Sequence, residues 1–197
     1  LLESDISLPN LTEVGSYVDI RSNQLVENID LSSLVSTDAN LTIYNNGDVE
    51  TVDLSSLQTV TTNLYFYNNT DMEIVDMSSL ETVGGYFYIY NNDQLTELEA
   101  PALTSVGSYL YFYGNDLLTS IDLSALEEVD SYTNFSYNYD LTDLDLSSLT
   151  DAGSYFTMQS NSAYPECEVD LIIDDLNAAG WSGTTTNSGQ DSSATCN

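Results

Sequence analysis

The sequence predicts a mainly β protein, a right-handed parallel solenoid of about seven 23-residue coils with a C-terminal capping helix and a disulfide. Three observations carry this expectation. Leu11, Leu34, Leu57, Leu80, Leu103, Leu126 and Leu149 each open a copy of one unit, and the copies run without insertion or deletion to Asn161. Strict self-similarity at such a period marks an architecture in which each unit completes its core only by stacking on its neighbours. Within each unit, apolar residues alternate with polar ones or tyrosine at a period of two, as in a strand with one buried face. Finally, position 13 of the unit is Asn in every copy: Asn23, Asn46, Asn69, Asn92, Asn115, Asn138 and Asn161.

The main strand centres on positions 8 and 10, for example Leu64 and Phe66, Phe87 and Ile89, or Leu110 and Phe112. Positions 7, 9 and 11 then point outward. Position 4 is mostly Val (Val14, Val60, Val83, Val106, Val129), with Thr37 and Ala152 as exceptions. Positions 19 and 21 flank a carboxylate, as in Ile29-Asp30-Leu31 and Ile121-Asp122-Leu123, and form a second short extended segment. Corners of Gly, Asn, Asp and Ser turn the chain between them. About seven inward side chains per unit, at roughly 1.5–3 kcal/mol each, are a full core for one coil. Ordering the backbone costs a comparable amount, so an isolated coil is not expected to be stable.

The Asn column follows a buried strand, so its amides need partners. An amide both donates and accepts, and a stacked column can bond to the backbone of its own and the next coil. The column is expected to be scaffold and not a binding site.

The segment Leu110-Tyr-Phe-Tyr-Gly-Asn115-Asp-Leu-Leu118 follows L-x-F-x-x-N-x-x-L, which resembles the leucine-rich-repeat core pattern. The fuller unit, with V-G-G-Y before the strand and I-D-L-S-S-L closing the coil, is similar to the receptor L-domain variety of that superfamily. The resemblance runs from about Ile6 to Asn161 and implies an extracellular protein that binds proteins or sits in a cell envelope. It carries over no catalytic or ligand-binding residue. The sixth copy departs from the pattern at Thr133, Asn134 and Tyr137, and the fourth carries Ala100-Pro101-Ala102 in place of L-S-S.

Residues 1–161 are thus expected to form the repeat solenoid and 162–197 a C-terminal cap. In the cap, Val169, Ile172, Ile173, Leu176 and Ala179 fall on one helical stripe and Gly180 stops the helix, with Trp181 packing nearby. Cys167 and Cys196 bracket this segment, and with no His in the chain they suit a disulfide better than a metal. Closing that loop of about 30 residues stabilises by roughly 3–4 kcal/mol and implies an oxidising compartment. The chain starts at Leu1 without Met, as a secreted product does after signal removal, and equally as a trimmed chain would.

Thirty-two acidic residues oppose one basic residue, Arg21, for a net charge of −31. Phosphate binding needs clustered cations, so nucleic acid is excluded as a direct partner and anionic membrane surfaces are disfavoured. No apolar run is long enough to span a bilayer. Catalysis lacks its usual groups: there is no His or Lys, no phosphate-cradling glycine loop, and both thiols are expected to be oxidised. A carboxylate pair of the glycosidase kind remains conceivable, but acids borne on repeats are usually surface, and no enzyme and no cofactor are expected.

Position 20 places Asp30, Asp53, Asp76, Glu99, Asp122 and Asp145 in an outward column. At strand spacing these acids repel and raise one another's pKa, so calcium bridging is a weak alternative to plain solvation. The calcium β-roll motif is absent. Four N-x-S/T sequons, at Asn10, Asn40, Asn68 and Asn134, are no more than the Asn, Ser and Thr content gives by chance.

Tyrosine carries the most functional content. Twelve of the 15 tyrosines fall in three outward columns. Tyr17, Tyr86, Tyr109, Tyr132 and Tyr155 occupy position 7; Tyr65, Tyr88 and Tyr111 position 9; Tyr44, Tyr67, Tyr90 and Tyr113 position 11. Rings about 5 Å apart can stack along each column, which suits a strand and also preorganises a flat hydroxyl-bearing surface. Arg21 begins the position-11 column, where its guanidinium can stack on Tyr44. The leading expectation is a secreted or cell-surface module whose tyrosine face binds protein or glycan. The alternative is a structural subunit that assembles with copies of itself into a filament or surface layer, because the first coil has no cap comparable to the C-terminal one.

Overall fold

The computed structural model describes residues 5–196; Leu1 to Ser4, which the expected solenoid 1–161 included, and Asn197 lie outside the described residues. Three parallel sheets run the length of a solenoid and enclose one core. The largest has eight strands, seven contributed by the repeats: Val18–Arg21, Leu41–Tyr44, Leu64–Tyr67, Phe87–Tyr90, Tyr109–Tyr113, Tyr132–Ser136 and Tyr155–Gln159. A seven-stranded sheet is built from the second extended segments, such as Thr51–Asp53 and Ser120–Asp122. Two-residue strands such as Thr59–Val60 and Thr82–Val83 make the six-stranded third sheet. Every pair between repeat strands is in register at the repeat period: Phe87 lies beside Leu64 and Leu110, and Val52 beside Ile29 and Val75.

This register turns each apolar position of the repeat into a column through the core. Leu34, Leu57, Leu80, Leu103 and Leu126 are completely buried, as are Leu41, Leu64, Phe87 and Leu110. Phe87, Phe112, Phe135 and Phe156 form an internal aromatic file, with successive ring centroids 5.1, 5.6 and 6.3 Å apart.

The Asn column is buried from Asn46 to Asn161, and its bonding repeats from coil to coil. Asn69 Nδ2 donates to the Ile43 carbonyl at 3.0 Å, Asn92 Nδ2 to Phe66 at 3.1 Å, and Asn115 Nδ2 to Ile89 at 3.1 Å. Each Oδ1 accepts from the backbone N–H of the preceding Asn, as Asn92 Oδ1 does from Asn69 at 3.2 Å. The amide therefore bonds the strand carbonyl at position 10 and the backbone N–H at position 13 of the preceding coil, the latter lying past the end of its strand.

One residue makes this geometry available. Strict alternation would point position 12 inward, but position 12 is left-handed in all seven copies, with φ from 54° at Asn45 to 64° at Gly114. That turn directs Asn at position 13 into the core. Asn, Ser and Gly dominate the position, as expected where φ is positive; Tyr137, at φ 59°, is the exception.

The departures in the sixth copy leave the register intact. Thr133 is buried and donates Oγ1 to the Ala152 carbonyl at 3.1 Å. Asn134 is also buried, and its Oδ1 has no partner among the described residues.

The C-terminal segment folds as the helix Glu166–Ala179, ending on the left-handed Gly180. Val169 and Leu176 are buried, and Ile172 and Ile173 pack partly against the core. Ala179 is exposed, so the buried stripe stops one turn earlier than its spacing suggests. Cys167 and Cys196 are joined in a disulfide. A strand not expected from the sequence, Thr184–Ser188, pairs in parallel with Tyr155–Gln159 and supplies the eighth rung of the large sheet. Trp181 leads into that strand, its Nε1 donating to the Gly153 carbonyl at 2.6 Å.

Candidate binding face on the tyrosine sheet

The outward positions of the large sheet bring together all nine tyrosines of the expected face, but their rings do not stack uniformly. In the position-11 column, Tyr44 and Tyr67 lie 4.5 Å apart at 16°, and Tyr67 and Tyr90 4.9 Å apart at 3°. Tyr113 leaves this ladder. It lies parallel to Tyr111 of its own strand, 5.5 Å away, and leans on Tyr137 at 4.8 Å. In the position-9 column the rings are tilted or edge-on: Tyr65 to Tyr88 at 69°, Tyr88 to Tyr111 at 49°. Position 7 begins with the isolated and exposed Tyr17 and resumes as Tyr86, Tyr109, Tyr132 and Tyr155, with neighbouring rings 5.0 to 6.0 Å apart. In the two intervening coils Asn40 and Asn63 take the place of tyrosine, and Asn63 Nδ2 donates to Asn40 Oδ1 at 3.0 Å.

Between the position-9 and position-11 columns runs an open groove of about 880 Å³. Tyr65, Tyr88 and Tyr111 form one wall, and Tyr44, Tyr67 and Tyr90 the other. Tyr113 and Asn91 close one end, and Asp19 and Thr42 the other. Past Asn91 and Tyr113 a second groove of about 460 Å³ continues over the corner and carries Asp93, Asp116, Tyr137 and Tyr139.

The phenols are partly desolvated by one another. Burial pushes Tyr67 and Tyr88 up to about 12, reinforced by neighbouring phenols, and it also raises Tyr65, Tyr90 and Tyr111. They are protonated donors throughout the physiological range. Arg21 sits where the sequence suggested: its guanidinium carbon is 5.7 Å from the Tyr44 ring centroid, Nη1 donates to the Tyr44 hydroxyl, and Nε lies 3.7 Å from Asp19.

No protein family, curated protein or solved structure matches this chain.

The position-20 acids have a local task. Asp30, Asp53, Asp76, Asp122 and Asp145 each accept, through Oδ1, the backbone N–H two residues on, at Ser32, Ser55, Ser78, Ser124 and Ser147. This is the Asx-turn that Asp-x-Ser favours, and it was legible in the sequence as that recurring tripeptide. For Asp30 the expected upward shift is reversed: the Ser32 hydroxyl, the Ser32 amide and the Ser7 hydroxyl hold its carboxyl below the usual range. Among the described residues no cluster of three or more His, Cys, Asp or Glu is placed to hold a metal.

The sequons are equally unequal. Asn134 is buried, and Asn40 Oδ1 is occupied by Asn63 and Thr62. Asn68 lies in an outer amide ladder between Asn45 and Asn91, whereas Asn10 is exposed in a turn.

Proposed function

We propose that this chain is a non-enzymatic recognition or adhesion module, secreted or at the cell surface, that binds protein or glycan through its tyrosine sheet. The observation that carries the reading is the groove between two tyrosine columns, held on a sheet whose backbone is fixed by a buried Asn ladder. Rigid aromatic rings with polar tips give contact area at little entropic cost. The disulfide suits an oxidising exterior. No helix among the described residues is long and apolar enough to cross a membrane. Kinship with leucine-rich-repeat solenoids of the receptor L-domain type belongs to the same proposal, supported by the L-x-F-x-x-N-x-x-L unit and its parallel stacking.

The test replaces Tyr88, Tyr90, Tyr111 and Tyr113 together by Thr, a strand-compatible residue. Their inward neighbours Phe87, Ile89, Leu110 and Phe112 are untouched and completely buried, so the variant is expected to fold. Binding to glycan and peptide arrays should fall far more than the change in stability explains. Equal array binding by parent and variant refutes the reading.

In a second reading, copies of the chain assemble side by side into a filament or layer through the same tyrosine sheet, whose rings line an open groove. Concentration-dependent particle length in negative-stain images supports this reading, and monomers at every concentration refute it.

A further inference from the structure

We infer that the tyrosine face receives an arginine side chain, presented by an extended segment of a partner protein and seated between Tyr90 and Tyr113. The inference rests on the recognition reading above and narrows it to one ligand chemistry.

Three independent features meet at this point. The first is the break in the ring ladder. Tyr67 covers one face of Tyr90, but Tyr113 has turned toward Tyr111, so the other face of Tyr90 has no stacking partner among the described residues. The second is an acceptor left over by an interrupted amide ladder. Asn68 Nδ2 donates to Asn45 Oδ1 and Asn91 Nδ2 to Asn68 Oδ1, each at 3.2 Å. The next residue in that column is Gly114, which has no side chain to donate. Asn91 Oδ1 therefore meets no donor among the described residues, and a Cβ at position 114 would come within 3.0 Å of it. Asn91 borders both grooves. The third is charge. The chain carries −31 with one cationic side chain, and Asp93 and Asp116 line the groove that adjoins Asn91 and Tyr113.

The molecule already contains an example of the contact. Arg21 occupies the position-11 column one coil before Tyr44, stacks over that ring, donates to its hydroxyl and pairs with Asp19. A ring face, an oxygen acceptor and a carboxylate therefore bind a guanidinium at one end of the ladder. The gap beyond Tyr90 offers the same three groups without a guanidinium of the chain's own. A planar guanidinium stacks on an aromatic face while its edge donates in plane, which a compact ammonium cannot do, so arginine is favoured over lysine. The groove crosses about five coils, or roughly 19 Å at ~4.8 Å per strand, the length of about six extended residues at ~3.3 Å each. That length selects an extended peptide over a single amino acid.

The test uses isothermal titration of the intact protein, near physiological salt, with a short Ser-Gly peptide bearing arginine at alternate positions. Matched peptides carry citrulline or lysine in place of arginine. The arginine peptide should bind about tenfold more tightly than either, the scale of one well-formed cation–π contact. Tyr90→Thr and Asn91→Gly should each remove most of that margin, although neither alters the net charge. Asn91 is exposed and left-handed, and Gly already stands at the same repeat position in Gly114, so the second variant tests the site even if the first folds poorly. Equal binding of arginine and lysine peptides, insensitive to both substitutions, means general attraction to an acidic protein and overturns the inference. If glycan or peptide-array binding is still lost in the fourfold tyrosine variant, the recognition reading stands while the arginine site falls. If no array binding depends on the tyrosines, both fall.

Discussion

Asn92 reaches back 26 residues to donate its Nδ2 to the carbonyl of Phe66 at 3.1 Å, in the middle of the core. Its Oδ1 simultaneously accepts from the backbone N–H of Asn69 at 3.2 Å. One side chain thus bonds two backbone groups of the preceding coil, and the Asn69 N–H among them lies past the end of its strand.

Replacing Asn92 by Leu keeps the volume but strands these buried groups. Each unsatisfied group costs about 1–3 kcal/mol, so the variant should be destabilised by a few kcal/mol. Thermal or urea unfolding measures this, and an unchanged midpoint would show the ladder to be dispensable.

Gly153 is left-handed, with φ 75°, and a Cβ there would run into the backbone of Ser131. Its carbonyl also accepts the Trp181 indole N–H. Gly153→Ala should cost about 1–3 kcal/mol from backbone strain alone and should loosen the docking of Trp181. Trp fluorescence, from the single Trp of the chain, should shift to the red in that variant.

The Cys167–Cys196 bond closes the segment that contains the helix and the last strand. Reduction should destabilise the C-terminal cap by roughly 3–4 kcal/mol on the chain-entropy estimate. Hydrogen exchange after reduction should rise first in residues 166–188, and the native protein should show no thiol that alkylates before reduction. A reactive thiol pair in the native protein contradicts the bridge.

The tyrosine face makes stability sensitive to alkali. Tyr67 and Tyr88 are raised to about 12 by burial, and Tyr65, Tyr90 and Tyr111 are raised as well. In the unfolded chain a phenol ionises near pH 10. The folded state therefore holds these protons more tightly. Their contribution is complete below about pH 10 and is lost as pH rises toward about 12. Absorbance titration at the phenolate band should show late-titrating tyrosines, with unfolding setting in across that window. The fourfold Tyr→Thr variant should lose part of this dependence.

Much of the architecture was written in the repeat itself. Because the 23-residue period has no insertion, residue 87 can only stack on 64 and 110, and period-two alternation decides which side chains face in. The Asn column was legible for the same reason: a polar residue that never varies beside buried ones must be bonded internally. The Asp-x-Ser turns were equally local, and only the assumption that neighbouring acids dominate each other's ionisation obscured them. The strand Thr184–Ser188 was not legible, since its pattern is polar and mostly exposed, and its pairing depends on the free edge of Tyr155–Gln159. The candidate site divides in the same way. The sequence determined which tyrosines share a face, because that needs only the repeat and the strand period. Only the tertiary structure decided how the rings meet, since ring orientation depends on neighbours in adjacent columns. Tyr113 turns toward Tyr111 and Tyr137 and leaves Tyr90 open on one side because packing between neighbouring columns competes with stacking within one.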